Sequence, residues 1–405
     1  MRHLYVWVRR PNGIISVAGE LVTTDPSSSG HFEAEFEYAR EWVEDPAAFS
    51  LDPASLPRDS GHRRFRAELF QPPLAIFDDA LPDDWGRRLL ASAIRLEGRK
   101  ASAPEMLLHM RGGGTGALSF TADPQPPQLA VTAQSKSLPV LLKAAEQFES
   151  GTLPADDDFR RLLEGSSGAG GARPKSLVHD DQGEWLAKFP SRMRDGPCDV
   201  VGLEATCLEL ARRAELDVPE SRLQAVGRRR VLLVRRFDVT AQNGRVHMVS
   251  MKTLCKERPG VYVSSYAQLA EALQKYSASP ATDIVALFRH MTFNAAIGNV
   301  DDHLKNFWML ATPAGYRLAP AFDLVPDTTG RREHTLMFQY GFHCPTRDDL
   351  LAIADAWGVP AAGKIIGEVA RAVRAFDAIA HKLGLKANAS FENVQADIRR
   401  RLALL

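Results

Sequence analysis

NAAIGNVDDHLKNF, residues 294–307, joins the end of an apolar helix to a loop rich in acids and amides. Apolar residues at helical spacing run into it and predict a helix over 283–297, stopped at Gly298 by the residue that most easily leaves a helix. A polar loop follows in which Asp301 and Asn306 stand five residues apart. That spacing suits phosphoryl transfer: an aspartate accepts the proton of an acceptor hydroxyl, and an asparagine five residues on binds Mg²⁺. Asp323 lies 17 residues beyond Asn306 in APAFDL, 319–324, across a hairpin expected from the FWML and YRL runs around Pro313-Ala314-Gly315. Asn306 and Asp323 can then face one metal from the two ends of that hairpin. A lone D-x4-N is more often an acidic loop capping a helix; the second aspartate after a short hairpin favours the chemical reading. His303 is expected to orient the loop by hydrogen bonds rather than act as a base.

Working outward, a phosphoryl-transfer site also needs a cation for the phosphates, a covering loop and an adenine pocket. Lys188 ends a short apolar strand, Trp185-Leu186-Ala187-Lys188-Phe189. A lysine there either reaches an anion or snorkels from a sheet edge. Glu204, on a helix expected over 201–214, is a possible counter-charge for it. The glycine- and serine-rich run 165–175, GSSGAGGARPK, precedes Lys188 where a phosphate loop belongs. It matches neither the Walker pattern nor GxGxxG, but Gly168, Gly170 and Gly171 let backbone N–H groups approach phosphates closely. Val231–Val234 reads as a buried strand leaving into Arg235-Arg236-Phe237-Asp238, where a hinge would meet adenine and Asp238 a ribose hydroxyl; a plain core strand fits the spacing equally.

Composition limits the alternatives. The chain has 405 residues, enough for two or three domains, with 45% hydrophobic and 25% charged residues, as in soluble globular proteins. Lysine plus arginine equals aspartate plus glutamate at 50 each, so the basic excess of a stand-alone nucleic-acid binder is missing. The four cysteines form no CxxC or zinc-type cluster. With no cleavable leader pattern and no apolar run of membrane-spanning length, the expectation is a cytoplasmic protein with no membrane partner. Alternation at Leu4, Val6 and Val8 and again from Ile14 predicts an N-terminal hairpin around Pro11-Asn12-Gly13. Helices are expected at 83–97, 139–151 and 266–275, with two or three more after residue 347. The class is α+β, with a β-rich region over 1–125, a mixed nucleotide-binding core over 137–260 and a helical C-terminal lobe over 261–405.

Taken together, GGARPK (170–175), WLAKF (185–189), RRFD (235–238), DDHLKN (301–306) and APAFDLVP (319–326) resemble the HipA family. So do VAGEL (17–21), SLP (55–57), LPDDWG (81–86) and GALSF (116–120), so the likeness runs nearly the whole chain. HipA proteins are bilobal serine/threonine kinases, toxins of bacterial toxin–antitoxin pairs linked to persistence. The resemblance implies Asp301 as catalytic aspartate and Asn306 and Asp323 as Mg²⁺ ligands. It implies Lys188, the glycine-rich loop, Arg236, Phe237, Asp238 and His303 around ATP. It further implies autophosphorylation at Ser167 or Ser166, and a small helix-turn-helix antitoxin, HipB-like, that would supply contact with DNA. The protein substrate would be a translation component such as an aminoacyl-tRNA synthetase. The chain departs from many relatives at Arg235, where they carry an acid, and it has no HRD triplet. Two other classes remain open: a small-molecule kinase on the same scaffold, and a catalytically silent partner-binding or co-repressor subunit.

Overall fold

The alternation at the N-terminus does build a hairpin: strands Arg2–Arg9 and Ile15–Thr23 pair antiparallel, with Leu4 opposite Leu21 and a bulge between Val6 and Trp7. Strands Glu33–Tyr38, Arg63–Arg66 and Leu118–Thr121 extend it to a five-stranded sheet. Leu4, Val6 and Val8 are fully buried, because side chains two apart share a face. Gly19 is required where strands approach: a Cβ there would run into the Glu37 carbonyl and the Phe36 ring.

The computed structural model describes residues 1–27, 32–66, 74, 76–98, 101–110, 114–128, 133–166, 171–255 and 263–405. They divide into two compact units. The first comprises Met1–Ser191, Arg235–Val249 and Leu310–Pro313; the second comprises Arg192–Val234, Ser250–Met309 and Ala314–Leu405. Neither unit is one consecutive stretch of chain. Residues 235–249 and 310–313 join the first unit through bonds such as Gly116 N–H to Asp238 and Ala311 N–H to the His247 carbonyl.

Besides its N-terminal sheet, the first unit holds helices Asp84–Leu96 and Leu138–Glu149 and the hairpin Lys175–Asp180/Gly183–Lys188. The second unit packs helix Val200–Arg213 against Ala362–Val373 and Phe376–Lys382, around a core that includes Leu208, Phe293, Val369 and Ile398. Its central helix, Pro280–Ile297, starts with proline in the first turn and ends at Gly298 in the left-handed region (φ 73°). The expected hairpin follows as Trp308–Thr312 and Gly315–Leu318. Four helices, not two or three, follow residue 347: Arg347–Trp357, Ala362–Val373, Phe376–Lys382 and Ala389–Leu402. The break at Arg374-Ala375 carries no glycine or proline, so apolar periodicity reads straight through it. Helices and mainly antiparallel sheets give the α+β class expected. Among the described residues no helix is long and apolar enough to cross a membrane.

Candidate active site

In the second unit, the loop after Gly298 is stitched to the segment after Asp323. Asp327 N–H donates to the Gly298 carbonyl (2.9 Å) and Thr335 N–H to the Val300 carbonyl (3.0 Å). Between these anchors Asp301 is exposed and Asp302 is fully buried. Neighbours in sequence thus face opposite environments.

Asp302 accepts from the Tyr266 hydroxyl (2.5 Å), from His334 Nδ1 (2.9 Å) and from the backbone N–H groups of Thr335 (2.9 Å) and Leu336 (3.3 Å). Burial alone would raise its pKa; the bonds from His334, Tyr266 and the backbone outweigh that and hold it below the usual carboxylate range. Behind His334 lies Arg401, also fully buried, which donates to His334 Nε2 (3.0 Å) and to Asp397 (2.5 Å). Arg401 can only donate, so Nε2 is the acceptor of that contact and Nδ1 is the nitrogen that donates to Asp302. Asn294 donates to Tyr266 (3.2 Å), and Asn299 reaches both Asn294 (3.1 Å) and the Asp323 carbonyl (3.5 Å).

Asp301 behaves oppositely. Its pKa is raised, first by the protein packed around its carboxyl, with Asp323 and Asp302 adding repulsion and His303 and Arg331 opposing. Asp301 and Asp323 thus share one electrostatic field. Asn306 is buried and its Nδ2 donates to the Asp301 carbonyl (2.7 Å), which turns Oδ1 the other way as an acceptor. Asp323 is half-buried with φ 56°, a left-handed conformation uncommon outside glycine and often kept at functional sites. The strand leading to it is fixed by buried Asp283, which accepts from Arg317 Nη2 (2.8 Å) and Leu318 N–H (2.9 Å).

In the first unit, Lys188 is half-buried on its strand, directly opposite Lys175 in the hairpin register. Lys175 is buried, and a Cβ on Gly171 (φ 101°) would collide with its Nζ. Asp83, at the N-cap position of helix Asp84–Leu96, makes no cap bond to that helix and accepts from Gly171 N–H instead (2.7 Å). Trp85 donates through its backbone N–H to the Gly171 carbonyl (3.4 Å) and through Nε1 to the Lys175 carbonyl (3.3 Å). The LPDDWG stretch therefore anchors the end of the glycine-rich run. Gly168, Gly170 and Ser167 lie outside the described residues, and the Ser166 side chain is not described.

Asp238 is buried. Its Oδ2 accepts from Arg236 Nη2 (2.6 Å) and Gly116 N–H (2.8 Å), and its Oδ1 from Arg236 Nε (2.9 Å). Burial would raise its pKa, but Arg236, Arg245 and Gly116 N–H hold it low. Arg236 also reaches the Gly114 carbonyl (3.0 Å), and Arg245 grips Glu184 through both its oxygens (3.0 Å each). The GALSF and RRFD motifs are thus parts of one ion-paired corner. In the second unit, Glu204 is buried on helix Val200–Arg213.

Sequence reasoning singled out the loop ligands but missed the residues that hold them: Asp302, Tyr266, His334 and Arg401 in one unit, and Lys175, Glu184 and Arg245 in the other. Only Asp302 and Lys175 had a local signal, as members of the DDHLKN and GGARPK motifs.

Comparison with known proteins gives a consistent picture. A family model described as the HipA-like C-terminal domain matches residues 167–376, and one described as the HipA N-terminal domain matches residues 16–121. Two Sinorhizobium fredii NGR234 proteins, named as candidate kinases Y4mE and Y4dM, are related. The first is 27% identical over 326 residues, 73% of this chain and 72% of its own length. The second is 28% identical over 274 residues, 62% and 61% of the two lengths. Among solved structures, the Shewanella oneidensis MR-1 HipA, determined with HipB and operator DNA, superposes with a TM-score of 0.68. That match covers 98% of this chain and 96% of the other at 18% identity, a likeness of fold.

Proposed function

Because this chain belongs to the HipA family, we propose that it is an ATP- and Mg²⁺-dependent serine/threonine protein kinase, the toxin of a toxin–antitoxin pair. The observation that carries the reading is the split between Asp301 and Asp302. An exposed carboxylate with raised proton affinity is held in place by a buried neighbour whose bonds are all spent on the frame. Asp301 is the proton acceptor for the substrate hydroxyl, and its raised pKa moves it toward the operating pH of a general base. Asn306 Oδ1 and the Asp323 carboxylate are the metal-side oxygens.

These donors fit Mg²⁺. Both are hard oxygen ligands, and the described residues hold no group of three or more His, Cys, Asp or Glu side chains that could cage a metal alone. A cation there takes its remaining ligands from water and phosphates, as Mg²⁺ characteristically does. When bound, the ion neutralises charge on the β- and γ-phosphates. Lys188 and its cross-strand neighbour Lys175 are the phosphate cations. Gly171, with the rest of the glycine-rich loop, lies over the phosphates. RRFD shapes the adenine side. Asp238 meets a ribose hydroxyl in this proposal: Arg236 and Gly116 N–H orient its carboxylate with three bonds, and Oδ1 keeps an acceptor position.

In this proposal a small helix-turn-helix antitoxin is the partner, and DNA is met through it. The support is the likeness in fold to the HipA solved with HipB and operator DNA. The substrate is a translation component, and phosphorylation at Ser167 or Ser166 silences the enzyme by setting negative charge against ATP phosphates. The test is transfer of labelled γ-phosphate from ATP and Mg²⁺ into host-cell extract. A labelled protein band that disappears with Asp301→Asn supports the reading. Label confined to small metabolites, or none despite nucleotide binding, refutes it.

A further inference from the structure

Beside Asp301, in the second unit, lies a pocket of about 340 Å³ between segment 327–332 and the last helix, Ala389–Leu402, lined by Arg331, Arg332, Arg400, Thr329 and Asn393. Its two carboxylates are already committed. Asp327 accepts from the N–H groups of Thr329 (2.9 Å) and Arg331 (2.7 Å) and from the Thr329 hydroxyl (2.9 Å). Asp397 accepts from Arg400 (2.6 Å) and Arg401 (2.5 Å).

The cations are less committed. Arg331 donates to the neutral Val300 carbonyl (2.8 Å) and the Thr335 hydroxyl (3.3 Å). Among the described residues neither Arg331 nor Arg332 pairs with a carboxylate. With Asp327 and Asp397 set against Arg331, Arg332 and Arg400, the pocket lining keeps an excess of positive charge, part of which also faces Asp301.

We propose that this pocket is a specificity subsite for an acidic side chain of the protein substrate, a carboxylate two or three residues from the acceptor hydroxyl. The proposal rests on the kinase reading of Asp301. The placement follows from Arg331, which grips the carbonyl immediately before Asp301. An acceptor hydroxyl within about 3 Å of Asp301 puts residues two or three further along an extended segment roughly 7–10 Å away. Guanidinium forks match carboxylates in shape as well as charge.

The test is binding of two fluorescent serine peptides to the full chain, read by anisotropy. The peptides are identical except for glutamate or glutamine two and three residues from the serine. Wild type is expected to bind the glutamate peptide about two- to fivefold more tightly for each exposed ion pair gained. Raising salt should shrink the preference. The double variant Arg332→Gln, Arg400→Gln removes exposed side chains outside the catalytic set. With Arg331 left in place, it should show a clearly smaller preference for the glutamate peptide while keeping wild-type nucleotide affinity and melting temperature.

Equal wild-type affinity for the two peptides, no binding of either, or a preference undiminished in the double variant overturns the subsite. Binding is read without catalysis, so failure of the kinase reading shows separately, as absent phosphate transfer by a chain that still selects the glutamate peptide.

Discussion

The Arg236–Asp238 corner of the first unit and the Val300–Asn306 loop of the second both bury carboxylates, but they spend them differently. In the corner every oxygen of Asp238 goes to Arg236 or Gly116, and Arg245 closes on Glu184. The acid joins GALSF to RRFD and keeps one acceptor position. In the loop Asp302 is used up entirely, by Tyr266, His334 and two backbone N–H groups, and its neighbour is left exposed and rigidly placed. A saturated carboxylate is scaffold. Chemistry belongs to the acid beside it, whose proton affinity its surroundings raise.

Removing one scaffold partner in each unit should have the largest effect. Asp302→Ala leaves a tyrosine hydroxyl and a histidine N–H buried without their acceptor. Arg236→Leu strips the buried Asp238 of two of its three bonds and of its ion-pair partner. Each should cost about 3–5 kcal/mol of stability in its own unit, read by urea unfolding with local fluorescence or hydrogen exchange. Losses below about 1 kcal/mol at either position contradict the assignment to scaffold.

Acid should strain both units to a somewhat smaller extent. Burial pushes His290 down to about 4, with Asp302 opposing, and likewise pushes His247 down to about 4, with a bond to Leu51 opposing. Both values lie below the ordinary histidine value of about 6.5. The unfolded chain therefore takes up protons first. Stability is full above pH 6.5 and falls as pH drops toward 4, by roughly 3 kcal/mol for each histidine at the limit. His290→Leu should flatten the pH dependence of the second unit between pH 7 and 5 and leave the first unchanged. An unaltered slope in the second would reject this origin.

The smallest effect expected is on ligand affinity. Asp323→Asn should lower Mg²⁺-dependent nucleotide affinity at least about tenfold and leave affinity without Mg²⁺ and the unfolding midpoint close to wild type. Equal affinity in Mg²⁺ for variant and wild type would remove Asp323 from the metal site.

What could be read from the sequence was local. Gly298 ends the central helix, and the Asp301–Asn306 spacing lies within one loop, so both are visible in a short window. The hairpin to Asp323 is likewise marked by Pro313-Ala314-Gly315. The frame is not local. Tyr266 and His334 meet Asp302 from 36 and 32 residues away, and Arg401 meets His334 from 67. Hydrophobic periodicity says which face is buried but not which polar groups pair inside. For the same reason LPDDWG and GALSF could be quoted as motifs, while their work, holding Gly171 and Asp238, became visible only with the fold.

The division of labour between adjacent aspartates is tested by the rate of labelled phosphate transfer by Asp301→Asn, set beside its unfolding midpoint. The expected result is a loss of about 10²–10⁴-fold in rate with an unfolding midpoint and an ATP affinity near wild type. A variant that transfers phosphate at the wild-type rate, or that loses activity only because it unfolds, would contradict it.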